Sequence, residues 1–197
     1  MVGTEAVALV GVVAAVLGYF FTYATNLRLA QRNDRLERIN HQLSEFYGPL
    51  LALTQSSGQS WKAFRKRYRP GSGSYWRNDP PPTEEDAVAW RLWMTTVFMP
   101  MHQQMMELVL NRAHLIEEPE MPACLLDLCA HVHGYQAILK DWETGEISVE
   151  REDNISVVNF PGQELAVYAA AAFSRLKAEQ AELLGSTAKR GRSWRRK

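Results

Sequence analysis

Cysteine is nearly absent from this chain of 197 residues, and the two present, Cys124 and Cys129, stand five apart on a segment that reads as helix. That spacing puts their Cα atoms roughly 8 Å apart, beyond disulfide reach, which excludes a disulfide scaffold and suits a reducing compartment. An excess of charge of one sign is also lacking, with 22 Lys/Arg against 22 Asp/Glu. The balance conceals three blocks. Residues 1–82 and 161–197 are basic, and residues 83–160 are acidic. A basic flank is attracted to an anionic leaflet and an acidic block is repelled from it. No P-loop, dinucleotide-binding fingerprint, nucleophile elbow or HExxH sequence occurs. No reaction class is therefore indicated, and no cofactor is expected.

Charge is missing altogether from Ala6 to Tyr23, AVALVGVVAAVLGYFFTY. Extended to Thr25, a helix over 6–25 spans roughly 30 Å, the thickness of the hydrocarbon core of a bilayer. Residues 1–5 form a short flank containing Glu5, and Arg28, Arg32, Arg35 and Arg38 follow the run. A secretory signal peptide has the opposite order. The spacing predicts a single transmembrane helix in the inner (plasma) membrane, N-terminus outside and C-terminal domain in the cytoplasm. The bland alternative is a buried helix of a soluble core. Gly11, Ala14, Ala15 and Gly18 lie near one face, at the spacing that lets two such helices approach in lipid.

From residue 26 to 69 the helical pattern continues as a juxtamembrane stalk. Its apolar residues fall into a seven-residue repeat, with Leu29, Leu36, Leu43 and Leu50 at one position and Ile39, Phe46 and Leu53 at the other. Such a seam receives another helix, either from a second copy of the chain or from this chain's own later helices, the second being the more economical. Arg28, Arg35 and Arg38 fall on the solvated faces. Gly48-Pro49 interrupts the run and predicts a kink near Tyr47. The combination of an N-terminal span, an Arg-rich helix and the segment QLSEFYGPLLAL (residues 42–53) resembles uncharacterised bacterial membrane-anchored helical proteins. The resemblance covers residues 25–68 and implies no activity.

Residues 70–83, rich in Pro, Gly, Ser and Asn, read as a loop. Thr83 and Asp86 then form a capping-box pattern that starts a helix reaching about His114, with Pro100 marking a bend. Ala123–Trp142 reads as the next helix. The β-branched pieces at 147–149 and 155–158 suggest a small β-hairpin over 147–158. A last, Ala-rich helix starts after Pro161 and is expected to end at Gly185. Residues 84–185, completed by the stalk, make an antiparallel helical bundle, so the fold class is all-α.

Among chemically capable groups, Cys129 and His133 share a helix face at i and i+4 and are the candidate metal ligands, with two more ligands needed from the helix carrying His102 and His114. His131 and His133 point to different faces. The plain reading is packed cysteines and partly exposed histidines. The methionines at 94, 99, 101, 105 and 106 suit an adaptable groove or simple core filling. The tail over 186–197 carries Lys189, Arg190, Arg192, Arg195, Arg196 and Lys197 beside Trp194 and no acid. It reads as a solvated segment or a membrane-surface contact, nucleic acid being the least favoured partner. The functional expectation is a non-enzymatic, membrane-tethered interaction or assembly module whose partners are the lipid bilayer and another protein or a second copy. The alternative is a metal- or thiol-dependent sensor or enzyme built on Cys129 and His133.

Overall fold

Two prolines inside helices, Pro49 and Pro100, shape the bundle. The computed structural model describes the backbone of residues 2–71, 75–76 and 80–194 and the side chains of residues 15–71, 75–76 and 80–185. Helix α1 (Val2–Gln42) passes through a five-residue π turn, Leu43–Tyr47, into α2 (Gly48–Tyr68). Helix α3 (Glu84–Trp93) passes through a second π turn, Met94–Phe98, into α4 (Met99–Arg112). A single 3-10 turn, Ala113–Leu115, follows, then α5 (Ala123–Trp142) and α6 (Gly162–Trp194).

Proline has no N–H and its ring crowds the carbonyl one turn back, so a helix must yield just before it. Here both helices yield by widening one turn. The Gly48 N–H bonds to the Leu43 carbonyl and the Met99 N–H to the Met94 carbonyl, each i to i+5. The interruption expected at Gly48-Pro49 takes this form, with helix on both sides. The wide turn also explains the glycine, because a Cβ on Gly48 would collide with the Leu43 carbonyl oxygen.

The chain divides into two compact units. The first comprises residues 1–40 and 178–197. Within it Arg35 grips Glu179 through two bonds, Nε to Oε1 and Nη2 to Oε2, both 2.7 Å, and Gln180 donates to the Asn40 carboxamide at 2.7 Å. Arg35 is thus a clasp between α1 and α6 and not the solvated side chain expected from its face. No helix is long and apolar enough to cross a membrane among the described residues. The side chains of residues 6–14, half of the stretch expected to span, lie outside the described residues, as do those of Gly11 and Ala14. Ala15 and Gly18 are exposed, and so are Arg28 and Arg38.

The second unit, residues 41–177, is a helical bundle in which α2 packs on α4 and α4 on α5. Of the seven-residue repeat, Ile39, Leu43, Phe46 and Leu50 are buried, Leu36 and Leu53 half-buried, and Leu29 exposed. On α6, Leu165, Ala169, Ala172 and Leu176 form a buried stripe at helical spacing. Two residues of the QLSEFYGPLLAL segment hold the link between α4 and α5. The Gln42 side-chain amide donates to the Leu115 carbonyl at 2.8 Å. The Tyr47 hydroxyl meets the Glu117 N–H and the Tyr168 hydroxyl, each at 3.4 Å, and Tyr168 donates on to Glu118.

The α3 start is as its residues predict: Asp86 N donates to the Thr83 hydroxyl and Thr83 N to the Asp86 carboxylate. The same carboxylate accepts from Arg69 at 2.8 Å, and Arg69 also donates to the Pro80 carbonyl, which draws the 70–83 loop over the bundle. That loop buries Tyr75 and Trp76.

Two expectations fail. No strand occurs among the described residues, and 147–158 is a loop without a hairpin. Its backbone makes a local turn, Asn154 N to the Arg151 carbonyl, and bonds to side chains instead of to a strand partner. The Asn154 carbonyl accepts from Trp90 Nε1 of α3 at 2.8 Å and from the Tyr135 hydroxyl of α5. The Asn154 side chain bonds to Ser148, Glu150 and Arg91. A buried Asn so saturated outweighs the β preference of the flanking Ile and Val. Secondly, α6 does not stop at Gly185 but continues to Trp194. Gly185 lacks the positive φ that ends a helix, and the residues after it tolerate helix. The side chains of Lys189, Arg190 and Arg192, and residues 195–197 entirely, lie outside the described residues.

Candidate functional site

The second unit contains a cavity of about 460 Å³, a volume within the usual range of small-molecule sites. Its walls come from α2 (Trp61), the 70–83 loop (Tyr75, Trp76), α3 (Trp90), the second π turn (Phe98) and the segment before α6 (Phe160). Most of these rings touch: Trp61 and Trp76 each meet Trp90 edge-on, with centroids 5.9 and 5.7 Å apart, and Tyr75 lies 5.1 Å from Trp90. Trp90 and Tyr135 spend their polar hydrogens on the Asn154 carbonyl, so toward the cavity they offer only ring surface.

Four buried polar atoms in this wall have no hydrogen-bond partner among the described residues: Trp76 Nε1, His102 Nδ1, His131 Nε2 and Ser156 Oγ. Buried polar atoms are seldom left so, since each forgoes its bonds to water. The two imidazoles lie edge-on with centroids 5.3 Å apart, and His102 stacks flat on Phe160 at 3.8 Å. His131 Nδ1 is 2.8 Å from the Val158 carbonyl, which can only accept, so the ring proton sits on Nδ1 and Nε2 is an acceptor. Burial holds His102 down to about 3, the neighbouring His131 adding to the effect. Burial also lowers His131, partly opposed by its bond to Val158. Both rings are therefore neutral at physiological pH.

Ser57 Oγ and His102 Nε2 are 3.4 Å apart, the residue types of a nucleophile and its base. The pair is not built for that work. His102 is too weak a base to take a hydroxyl proton at neutral pH, and no third group orients its Nδ1. Among the described residues Arg151, half-buried, supplies the only formal charge in the lining, and its guanidinium makes no hydrogen bond or ion pair with them.

The histidines and cysteines do not assemble as a metal site. Cys129 is half-buried and His133 exposed, while His131, two residues earlier, faces the cavity. Burial raises the Cys129 and Cys124 thiols, which favours the protonated form and not the thiolate a metal needs. Among the described residues no group of three or more His, Cys, Asp or Glu is placed to hold a metal ion. Met94, Met99 and Met105 are buried, with Met94 in the cavity wall, so these methionines fill the core.

Of the site, sequence reasoning had named His102 and His131 but for a different purpose. It missed Ser57, Tyr75, Trp76, Arg151 and Ser156. The adjacent Tyr75 and Trp76 in a Gly-, Ser- and Pro-rich loop were the one available signal, since two large aromatic side chains in a loop need burial. No family model, no curated protein and no solved structure matches the chain.

Proposed function

We propose that the chain is a non-enzymatic, membrane-tethered helical interaction module: a span over 6–25 in the inner membrane, N-terminus outside, with the bundle in the cytoplasm and lipid and a protein or second copy as partners. The carrying observation is the apolar collar on α1. Val16, Leu17, Tyr19, Phe20, Phe21 and Tyr23 are exposed, at 47% to 76% of their surface, and consecutive positions distribute them around the whole helix. A helix apolar on every side has no soluble face to present, so its stable surroundings are lipid or another protein. The aromatic residues stand at the end of the uncharged stretch, next to the Arg28 to Arg38 cluster, where a membrane interface favours them.

Fractionation of cells expressing the full chain tests the reading. The expected result is a protein retained in membranes after alkaline carbonate washing, with a C-terminal cysteine tag labelled only after the cells are opened. Full-length protein that stays in solution without detergent, or a tag labelled from outside intact cells, would overturn it.

A further inference from the structure

We propose that the cavity of the bundle is a binding site for a small aromatic carboxylate that also carries a ring hydroxyl or ring N–H. Each part of that description answers one feature of the wall. The aromatic lining of Trp61, Trp76 and Trp90 calls for a planar apolar body, which packs against rings at little entropic cost. The Arg151 guanidinium, which has no ion pair among the described residues, calls for an anion, and a carboxylate matches its planar donors. Trp76 Nε1, a buried donor without an acceptor among the described residues, would bond a second oxygen of the ligand. His131 Nε2, fixed as an acceptor by the bond from Nδ1 to Val158, requires an N–H or O–H from the ligand. Ser156 Oγ can serve either side. Among the described residues no Asp or Glu lines the cavity, so a cation finds Arg151 and no acidic partner there.

The glycine at position 58 gives a means of closing the site. Gly58 lines the cavity on α2, and a Cβ there meets nothing within 4 Å. A larger side chain at that point enters open space without pressing on the core.

Calorimetric titration of the full chain in detergent micelles, with para-hydroxybenzoate as probe and benzoate, phenol and benzylamine as comparators, decides the matter. The expected result is saturable one-to-one binding of para-hydroxybenzoate, about tenfold weaker binding of benzoate and none of benzylamine. Arg151→Gln should weaken both acids about tenfold or more and leave phenol unchanged, because only the charge-assisted contact is removed. Gly58→Phe should abolish binding of all. Absence of saturation for para-hydroxybenzoate overturns the proposal, and so does an affinity indifferent to Arg151→Gln and Gly58→Phe. Neither outcome bears on whether residues 6–25 lie in a membrane, so the two readings stand or fall separately.

Discussion

Leucine and phenylalanine have opposite fates in two regions of one long helical run. Between Val16 and Leu29 the large apolar side chains are exposed, whereas Ile39, Leu43, Phe46, Leu50 and Phe64 keep at most 9% of their surface. Composition does not separate the regions; angular distribution does. The first carries apolar groups on consecutive positions, so no single neighbouring helix could cover them. The second carries them at three- and four-residue steps, alternating with polar groups, and a single neighbouring layer covers the stripe. A helix apolar all round needs an apolar medium, and a helix apolar on one side makes its own.

Truncation should separate the regions most sharply. Phe46→Ala is expected to cost about 3–5 kcal/mol of bundle stability through the cavity it leaves. Phe20→Ala should leave the unfolding midpoint of the bundle unchanged. Chemical unfolding followed by tryptophan fluorescence measures both, and a loss at Phe20 comparable to that at Phe46 would erase the distinction.

The ion pairs repeat the contrast at the next scale. Arg69 and Asp86 in the bundle are 8% and 16% exposed, while Arg35 and Glu179 in the first unit are 38% and 34% exposed. Removing Arg69 strands a partly buried carboxylate that also caps α3, so Arg69→Ala should destabilise by about 3 kcal/mol. Solvent screens the other pair, and Glu179→Ala should cost about 1 kcal/mol or less. Equal losses would show that the clasp in the first unit is better shielded than its exposure indicates.

Acid should act on the bundle through its neutral histidines. His102 is depressed to about 3, and His131 is lowered as well, so between those values and the ordinary imidazole range the unfolded chain binds more protons than the folded one. Stability is then complete above the unfolded imidazole value and falls as pH drops toward the folded values, by about 1.4 kcal/mol per pH unit for each histidine within its window. Urea midpoints measured in steps from neutral pH downward should show this slope, and His102→Phe should flatten it. An unchanged slope in that variant would place the acid sensitivity elsewhere.

The smallest effect is a reversal of sign. Gly134 on α5 faces Ser156, and a Cβ there would collide with the Ser156 hydroxyl oxygen. Gly134→Ala should therefore destabilise, although alanine is the better helix former by about 1 kcal/mol. Ser156→Ala removes a buried hydroxyl that lacks a partner and should stabilise the unliganded protein by about 1 kcal/mol. In that background Gly134→Ala should become stabilising, and a thermal-melt double-mutant cycle reads the change. Additive effects would mean that the two residues do not touch.

Helix α5 and the Thr83–Asp86 cap were legible because each depends on neighbours in sequence. Apolar residues recur along α5 at helical steps, and a capping box closes within four residues. The loop over 147–158 was not legible, because Ile and Val favour strands only when a strand partner exists, and here Asn154 commits the backbone to Trp90 and Tyr135, 64 and 19 residues away. The site was still less legible. His102 entered only as a possible ligand to complete a pair of Cys129 and His133, and His131 was placed on a different face from His133, whereas both rings line one cavity walled by aromatics.

By itself the amino-acid order determined which segments are helical, though not where the last one ends, which faces are apolar and that one stretch carries apolar groups on all sides, since these follow from backbone hydrogen bonding and side-chain periodicity within a few residues. Only the tertiary structure decided that Tyr75 and Trp76 wall a cavity, that Arg35 clasps Glu179, and that four buried polar atoms of the cavity wall have no partner among the described residues. Such meetings depend on burial and charge compensation between residues far apart in the chain, which local pattern does not encode.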